Sequence, residues 1–348
     1  MKFIDLFAGI GGFRFGMESA GHECVAFCEI DKFARASYKA IHNTEGEIEL
    51  HDITQVTDDE IRSIGHVDAI CGGFPCQAFS IAGNRRGFED TRGTLFFEIA
   101  RFASILKPKY LFLENVKGLL NHDKGDTFEV ILSALDELGY DVEWQVLNSK
   151  DFGVPQNRER VFIIGHLRGE RGRKIFPIRG ENEKSSAERL GINILGNTKN
   201  PNGTAQGTRD IVHDPKGIVG TLTATDYKGP KQVAIPVQPK IRVREATKQG
   251  YAEASVGDSV NLAHPNSKTR RGRVGKQIAN TLLTGESQGV VEPGFRIRKL
   301  TPRECWRLQG FPDWAFDKAQ EVNSNSQLYK QAGNSVTVNV IKEIARYL

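Results

Sequence analysis

The sequence lacks any run of about 18 apolar residues, which predicts that no helix spans a membrane. Its five cysteines are few for 348 residues, and no two of them form a Cys-x-x-Cys pair, so neither a disulfide framework nor a zinc site is indicated. The first five residues are typical of a strand rather than of a signal peptide. We therefore expect a reduced, cytoplasmic protein with no metal ion and no membrane partner.

The charged residues that are present are unevenly distributed. The chain has 47 Lys and Arg against 43 Asp and Glu, a net charge of +4, yet residues 166–297 carry +10 and the remainder carries −6. Residues 166–297 also hold 17 of the 36 glycines and no tryptophan. This composition fits either a solvated, loop-rich insertion or a nucleic-acid-binding surface, and composition alone leaves both interpretations open.

Hydrophobic patterning predicts an α/β fold with a doubly wound sheet. Strands are predicted at residues 3–7 and 22–28, and the apolar runs at 67–71, 110–113 and 161–165 are typical of central parallel strands. Helices are predicted at 32–41, 95–106 and 127–138. A capping box at 301–304 starts a further helix, and 336–348 is expected to pack back onto the first unit. One domain of residues 1–165 and 298–348 would thus be interrupted by 166–297, which is predicted as short strands and loops.

A glycine turn, Phe7-Ala8-Gly9-Ile10-Gly11-Gly12, follows the first strand and opens a helix. Such a turn either serves the backbone alone or brings it close to a ligand. The dinucleotide fingerprint requires glycine at position 14, where this chain has Arg14. Glu29 follows the second strand, where a carboxylate binds ribose hydroxyls, and Asp52 is a further acidic candidate. A nucleoside without a pyrophosphate, such as S-adenosylmethionine, fits this pattern better than NAD.

A cysteine follows the fourth predicted strand within Gly73-Phe74-Pro75-Cys76-Gln77. Because Pro75 fixes its own φ and restricts Phe74, the loop presents Cys76 in a defined direction. A thiolate at the carboxyl end of a sheet strand is a candidate nucleophile. The other four cysteines are expected to be small buried hydrophobes.

Two further strand ends supply the groups expected to act with Cys76. Glu114 ends an apolar strand, where burial would raise its carboxyl pKa and allow it to hold a proton near neutrality. Arg158 and Arg160 alternate along an extended segment, which places both guanidinium groups on one side. The glycine-punctuated basic stretch 83–93 is either a lid for a polyanion or an exposed loop.

The order of these motifs resembles that of the DNA (cytosine-5)-methyltransferases of bacterial and phage restriction–modification systems. The matching motifs are Phe-x-Gly-x-Gly-Gly, Pro-Cys-Gln, Glu-Asn-Val, Gln-x-Arg-x-Arg and Gly-Asn-Ser-Val, which lie in residues 1–165 and 298–346. The resemblance implies a Rossmann-like S-adenosylmethionine-dependent methyltransferase domain. It also implies a small target-recognition domain at 166–297, mostly of strands and loops, inserted before the C-terminal helices.

The resemblance also implies the catalytic roles. Cys76 would add to carbon 6 of a cytosine that is flipped out of the duplex, and Glu114 would hydrogen-bond or protonate ring nitrogen 3. Arg160 would orient Glu114 and the base, with Arg158 in the same network. The expected product is S-adenosyl-L-homocysteine.

The resemblance also implies a set of cofactor-binding residues, most of which lie in the glycine turn or near the ends of strands. They are Phe7, Gly9, Gly11, Gly12, Glu29, Ile30, Asp52, Ile53, Pro75, Leu95 and Asn334. Ile30 stands where some relatives have a tryptophan against adenine, and an aliphatic side chain can also cover a purine face.

Double-stranded DNA is the implied partner, and the resemblance allows a cognate restriction endonuclease as a second one. We expect the protein to act as a monomer. The predicted DNA-binding residues are Ser80, Arg85, Arg86, Arg92, Thr221, Arg270, Arg271, Arg273 and Thr281. Two Thr-Leu pairs, at 221–222 and 281–282, indicate two target sequences or, as we favour, one base reader.

Three alternative functions are weighed against this one. An RNA cytosine-5 methyltransferase of the same fold is disfavoured by the missing Cys-Phe-Thr signature and by the large basic insertion. A catalytically inactive DNA-binding protein is disfavoured by intact Cys76, Glu114, Arg158 and Arg160. A nicotinamide oxidoreductase is disfavoured by Arg14.

Overall fold

The protein is described here by a computed structural model, which covers residues 1–75, 95–170, 172–180, 194–197, 211–214, 219–228, 230–237, 240–261, 267, 269, 271, 273–276, 288–291 and 294–348. The chain divides into two compact units. Unit 1 comprises Met1–Asn193, Lys216–Lys231 and Leu300–Leu348, and unit 2 comprises Ile194–Pro215 and Gln232–Lys299. Most of the predicted insertion belongs to unit 2, whereas the ranges 166–193 and 216–231 belong to unit 1.

The first half of unit 1 alternates strands and helices, as the hydrophobic pattern predicts. The strands are β1 (Lys2–Leu6), β2 (Glu23–Cys28), β3 (Ile48–Leu50), β4 (Ala69–Gly73), β5 (Tyr110–Val116), β6 (Tyr140–Asn148), β7 (Gln156–Asn157) and β8 (Glu159–Leu167). The helices are α1 (Gly12–Ser19), α2 (Lys32–Ile41), α3 (Asp58–Ser63), α4 (Leu95–Leu106) and α5 (Asp126–Glu137). Lys117–Gly125 forms 3₁₀ turns interrupted by non-helical residues 122–124, and a short 3₁₀ segment lies at Ser149–Phe152.

The central sheet has the strand order β3-β2-β1-β4-β5-β8-β6. Strands β1 to β5 are parallel, which confirms the Rossmann-like prediction for this part. The prediction of a parallel strand at 161–165 was wrong, because β8 is antiparallel to both β5 and β6. A strand buried on both faces has the same apolar run in either direction, so hydrophobicity does not reveal its direction.

Two apolar layers cover the two faces of the sheet. Along β5, Leu111 and Leu113 face the layer that contains α4 and α5, whereas Tyr110 and Phe112 face the layer that contains α1. This alternation follows from the two-residue period of a strand. The carboxyl ends of the parallel strands are thereby fixed side by side at one edge, where the site is built.

The remaining elements follow in chain order. The strands are β9 (Ile194–Asn197), β10 (Ile211–His213), β11 (Val219–Gly220), β12 (Gln232–Val237), β13 (Ile241–Arg244), β14 (Tyr251–Ala254), β15 (Ser259–Asn261), β16 (Val274–Gly275), β17 (Gln288–Val290) and β18 (Gly294–Lys299). The helices are α6 (Pro302–Leu308), α7 (Asp313–Val322), α8 (Asn325–Asn334) and α9 (Val338–Ala345), and Asp226–Lys228 is a 3₁₀ turn.

The described residues of unit 2 form short strands and loops, as predicted for the inserted range. Its described strands form a four-stranded sheet β18-β12-β10-β9, a β13-β14 pair and a three-stranded sheet β16-β15-β17. A small apolar cluster that includes Val243, Ala254, Val260 and Val291 forms part of its core.

The C-terminal helices confirm two predictions. Thr301 and Glu304 form the capping box that starts α6, with Glu304 N donating to Thr301 Oγ1 at 3.3 Å and Thr301 N donating to Glu304 Oε2 at 2.7 Å. Helix α9 packs back onto α1 so closely that a Cβ on Gly16 would lie 2.4 Å from Ile341 Cγ2. Among the described residues, no helix combines the length and the apolar character that crossing a membrane requires.

Candidate active site

The glycine turn connects β1 to α1, and three of its residues have left-handed backbone conformations. Phe7, Gly9 and Gly11 have φ values of 56°, 58° and 84°. At Gly11 the space is closed as well, because a Cβ there would lie 2.2 Å from Nε2 of His42. Among the described residues, no atom would lie within 4 Å of a Cβ on Gly9, so this part of the chain leaves that side of the turn open. Gly12, the first residue of α1, packs against Val336.

Glu29 is joined to the glycine turn directly. Its Oε2 accepts a hydrogen bond from Gly9 N at 2.8 Å, and its Oε1 accepts one from Asp31 N at 2.7 Å. Burial raises the pKa of this carboxyl, and the two backbone N–H groups partly offset that effect. The structure therefore brings together the two parts of the predicted cofactor site that lie 20 residues apart in the chain.

The residue after Glu29 presents an apolar surface beside this carboxylate. Ile30 is 68% exposed, and its carbonyl and that of Glu29 accept hydrogen bonds from Arg35 Nη1 at 2.9 and 2.8 Å. An exposed aliphatic side chain on a fixed backbone fits a purine face, as the sequence predicts for Ile30.

Asp52 and Ile53 lie past the end of β3, next to the strand that carries Glu29. Strands β2 and β3 pair in parallel, and Glu29 N donates to Leu50 O at 3.2 Å. Asp52 Oδ1 accepts hydrogen bonds from Thr54 N and Thr54 Oγ1 at 3.0 and 2.8 Å, which fix the carboxylate. Ile53 is buried. Both residues therefore lie at the sheet edge where the cofactor residues were predicted.

The chemistry of these groups suits S-adenosylmethionine. Glu29 offers oxygens for ribose hydroxyls and Ile30 offers an apolar face for adenine. Arg14, which replaces the fingerprint glycine, is buried, and its guanidinium is bound by Glu47 at 2.7 Å and Glu18 at 2.8 Å. Arg14 is thus committed to the protein interior and supplies no cation for a pyrophosphate at the turn.

Pro75 marks the point where the chain reaches Cys76, which lies outside the described residues. Pro75 is exposed, and the preceding Phe74 is buried with its ring 5.5 Å from that of Phe96. The carbonyl of Phe74 accepts a hydrogen bond from Asn115 Nδ2 at 2.9 Å. Asn115 adjoins Glu114, but no local pattern indicates this role, because the acceptor of Asn115 lies 41 residues away in the chain. Leu95, beyond the undescribed segment, is half-buried.

Glu114 lies beside the strand that leads to Cys76. Strands β4 and β5 pair in parallel with Gly73 opposite Glu114. Glu114 Oε1 lies 3.0 Å from Arg160 Nε on the antiparallel neighbour β8, although no described N–H group is aligned to donate a hydrogen bond to this oxygen. Burial raises the Glu114 pKa, and the charges of Arg160 and Arg158 offset part of that rise. The structure therefore places a buried carboxyl with a raised pKa at the predicted position.

Arg158 lies in the same region but faces different partners. Although 3% exposed, it forms no ion pair within 4 Å with Glu114, and both residues are described. Its Nη1 donates to Leu222 O at 3.0 Å and to Gly333 O at 3.4 Å, and its Nη2 donates to Ser335 O at 2.7 Å. Burial and the charge of Arg160 lower the Arg158 pKa to about 9.

Asn334, the predicted cofactor residue from the C-terminal motif, is the last residue of α8. Its side chain is exposed, and the carbonyls on both sides of it, those of Gly333 and Ser335, are the acceptors of Arg158. The backbone that carries Asn334 is thus fixed by a guanidinium that lies far from it in the sequence.

Thr221 and Leu222 are packed in unit 1. Strand β11 pairs in parallel with β7, and Thr221 Oγ1 donates to Asn157 O. Leu222 is buried, and its N–H donates to Gln156 Oε1 at 3.0 Å. These contacts give this Thr-Leu pair a structural role, and contact with DNA stays a prediction.

The other predicted DNA-binding residues divide between described and undescribed parts of the chain. In unit 2, Arg271 is exposed, whereas Arg273 is buried with its Nη1 donating to Arg244 O at 3.1 Å. The remaining ones, which lie outside the described residues, are Ser80, Arg85, Arg86, Arg92, Arg270 and Thr281.

Four cysteines are buried and carry no disulfide: Cys24, Cys28, Cys71 and Cys305. Burial raises the pKa of each of these thiols, to about 12 for Cys28 and Cys305. All four are therefore poor nucleophiles at neutral pH, as the sequence predicts.

The sequence is similar to known proteins over its whole length. The family described as C-5 cytosine-specific DNA methylase matches residues 1–348. The type II methyltransferase M.HhaI of Haemophilus parahaemolyticus is 37% identical, with 99% of this chain and 93% of that protein covered. The orphan methyltransferase M.SPRI of Bacillus phage SPR is 33% identical, with 100% and 97% covered.

Solved structures share the fold. The Dnmt2 methyltransferase of S. pombe superposes with a TM-score of 0.59 at 16% identity, covering 99% of this chain and 96% of that one. A putative DNA modification methyltransferase encoded within an E. coli prophage superposes with a TM-score of 0.51 at 18% identity, covering 99% and 97%.

Proposed function

The chain belongs to the family of C-5 cytosine-specific DNA methylases, and we propose that it methylates a flipped cytosine within a specific duplex DNA sequence through a covalent bond to Cys76. Its methyl donor is S-adenosylmethionine. The observation that carries the proposal is the ion pair of Glu114 and Arg160, buried at the strand end beside the one that leads to Cys76.

The cofactor would be held by the groups at the ends of β1, β2 and β3. Glu29 would bind the ribose hydroxyls, Ile30 would cover the adenine, and Asp52 would bind its polar edge. Asn334 would contact the cofactor from the end of α8. When bound, S-adenosylmethionine supplies an electrophilic methyl group.

The reaction on the base is assigned to residues of this chain. The Cys76 thiolate forms a bond to carbon 6, and the electron pair of the 5,6 double bond moves into the ring. Glu114 donates a proton or hydrogen bond to ring nitrogen 3 and thereby neutralises the developing charge. Arg160 holds the carboxyl in place through the 3.0 Å contact. After methylation, loss of the carbon-5 proton re-forms the double bond and expels Cys76.

The substrate is proposed to be DNA rather than RNA. The relatives that are 33–37% identical over nearly their whole length are named type II and orphan methyltransferases, and residues 166–297 carry a net charge of +10. A basic lobe suits the phosphate backbone and gives salt-dependent affinity. We also propose that the protein acts as a monomer and that a cognate restriction endonuclease belongs to the same system.

The test is to follow labelled methyl groups from S-adenosylmethionine into duplex DNA and into transfer RNA, with the Cys76→Ser variant as the matched control. Bisulfite sequencing of DNA from expressing cells should then show methylated cytosines in one short sequence motif. Transfer into RNA alone, or full activity of Cys76→Ser, would contradict the proposal.

A further inference from the structure

We propose that Arg158 is a positioning residue that couples the cofactor-binding Asn334 to the Thr221–Thr223 backbone, rather than a group that contacts the substrate. This inference rests on the proposed function and adds a role that the predicted catalytic network did not contain. The contacts of Arg158 carry it.

The Arg158 guanidinium joins two distant parts of the chain. Its three acceptors are the carbonyls of Leu222, Gly333 and Ser335, which lie 64, 175 and 177 residues away. Hydrogen bonds from a charged donor are stronger than neutral ones, and a planar fork presents several N–H groups in fixed directions. One side chain therefore fixes the relative position of these backbones.

The two segments also pack directly against each other. A Cβ on Gly333 would lie 2.2 Å from Thr223 C and 2.3 Å from Thr223 O, so only glycine fits there without displacement. The N–H of Leu222 donates a hydrogen bond to Oε1 of Gln156, which lies two residues before Arg158. Movement of the Thr221–Thr223 backbone is thus transmitted to the end of α8.

The two segments that Arg158 joins contain residues predicted to contact different ligands. Gly333 and Ser335 flank Asn334, which is expected to contact the cofactor. Thr221 is a predicted DNA contact, and Arg160, two residues after Arg158, pairs with Glu114. Both terminal nitrogens of Arg158 are occupied by these carbonyls, and its Nε is buried with no hydrogen-bond partner among the described residues. Arg158 lies between these groups and acts through their positions.

Equilibrium binding of S-adenosylhomocysteine measures this role without turnover. An ammonium group lacks the planar fork, so Arg158→Lys should weaken binding by about tenfold. Arg160→Lys should lower kcat and leave binding within about twofold, because Arg160 acts on the base. Ile344→Ala, a core truncation in α9, controls for lost stability and should also bind within about twofold.

A double-mutant cycle tests whether Arg158 acts through Asn334. Asn334→Ala should weaken binding by about fivefold in the wild-type background and by less than about twofold beside Arg158→Lys. Unchanged binding in Arg158→Lys, or full additivity with Asn334→Ala, overturns the inference. Loss of kcat alone in Arg158→Lys would make Arg158 a substrate-contacting residue and would overturn it too.

The wild-type protein provides a test that needs no variant, which matters if Arg158→Lys does not fold. S-adenosylhomocysteine should slow amide hydrogen exchange at residues 221–223 as well as at 333–335. Protection confined to 333–335 overturns the inference. Absence of methylation on any DNA would refute the proposed function, and these binding results would still decide the role of Arg158.

Discussion

Glu114 Oε1 and Arg160 Nε lie 3.0 Å apart on adjacent antiparallel strands, and both side chains are nearly buried. Burial raises the carboxyl pKa, the guanidinium charge opposes part of that rise, and the short contact fixes the orientation of the carboxyl. Both the proton affinity and the orientation of Glu114 therefore depend on Arg160.

Replacing Glu114 by Gln should lower kcat by about 100-fold, because an amide cannot deliver a proton to ring nitrogen 3. The wild-type kcat should also fall as pH rises through the raised carboxyl pKa, and the variant should lack that dependence. Steady-state kinetics across pH measure both effects. Affinity for S-adenosylhomocysteine should stay within about twofold. Equal turnover in the two proteins would contradict the role of Glu114.

Protonation of His42 should destabilise the protein in acid. His42 lies beneath Gly11, and burial together with the Arg14 charge lowers its pKa to about 3. Its stabilising contribution is therefore complete above the unfolded-state pKa of about 6.5 and is lost as pH falls towards 3. Urea titrations between pH 7 and 4 should show a steeper loss of unfolding free energy than in His42→Phe. Equal pH slopes would count against this account.

The hydrogen bond from Asn115 to Phe74 O should position the chain before Pro75 and Cys76. We expect Asn115→Ala to lower kcat by about tenfold, because the hydrogen bond is lost. Asn115→Asp should lower kcat further, because its carboxylate has no N–H to donate and repels the carbonyl oxygen of Phe74. Turnover and S-adenosylhomocysteine binding measured together should show loss of the first only. The idea fails if Asn115→Asp turns over as fast as the wild type.

Thiol labelling should distinguish Cys76 from the other cysteines. Four of the five are buried and have raised pKa values, so a thiol reagent should modify about one thiol in the native protein and five after denaturation. In Cys76→Ser the fast native reaction should disappear. Fast native labelling that survives in that variant would show that another thiol is reactive.

Local signals in the sequence account for much of the site. The glycine turn, Glu29 and Glu114 each come directly after an apolar run. Parallel strands bring their carboxyl ends to one edge of the sheet, so the meeting of these groups follows from the hydrophobic pattern. The capping box likewise marked the start of α6.

Other features depend on contacts that no local pattern encodes. The direction of β8 is set by pairing with β5 and β6, and not by its apolar run. Residues 216–231 resemble their loop-rich neighbours in composition, yet Leu222 is buried in unit 1. Strand alternation groups Arg158 with Arg160, but the acceptors of Arg158 lie up to 177 residues away.

The proposed reaction depends on a covalent bond between Cys76 and carbon 6 of the target cytosine. Duplex DNA with 5-fluorocytosine at the target position blocks the final elimination, because fluorine cannot leave as a proton does. Incubation with S-adenosylmethionine followed by peptide mass spectrometry should find the nucleotide attached to Cys76 and no adduct in Cys76→Ser. Methylated product from ordinary cytosine, together with no adduct on Cys76 in the fluorinated duplex, would contradict the claim.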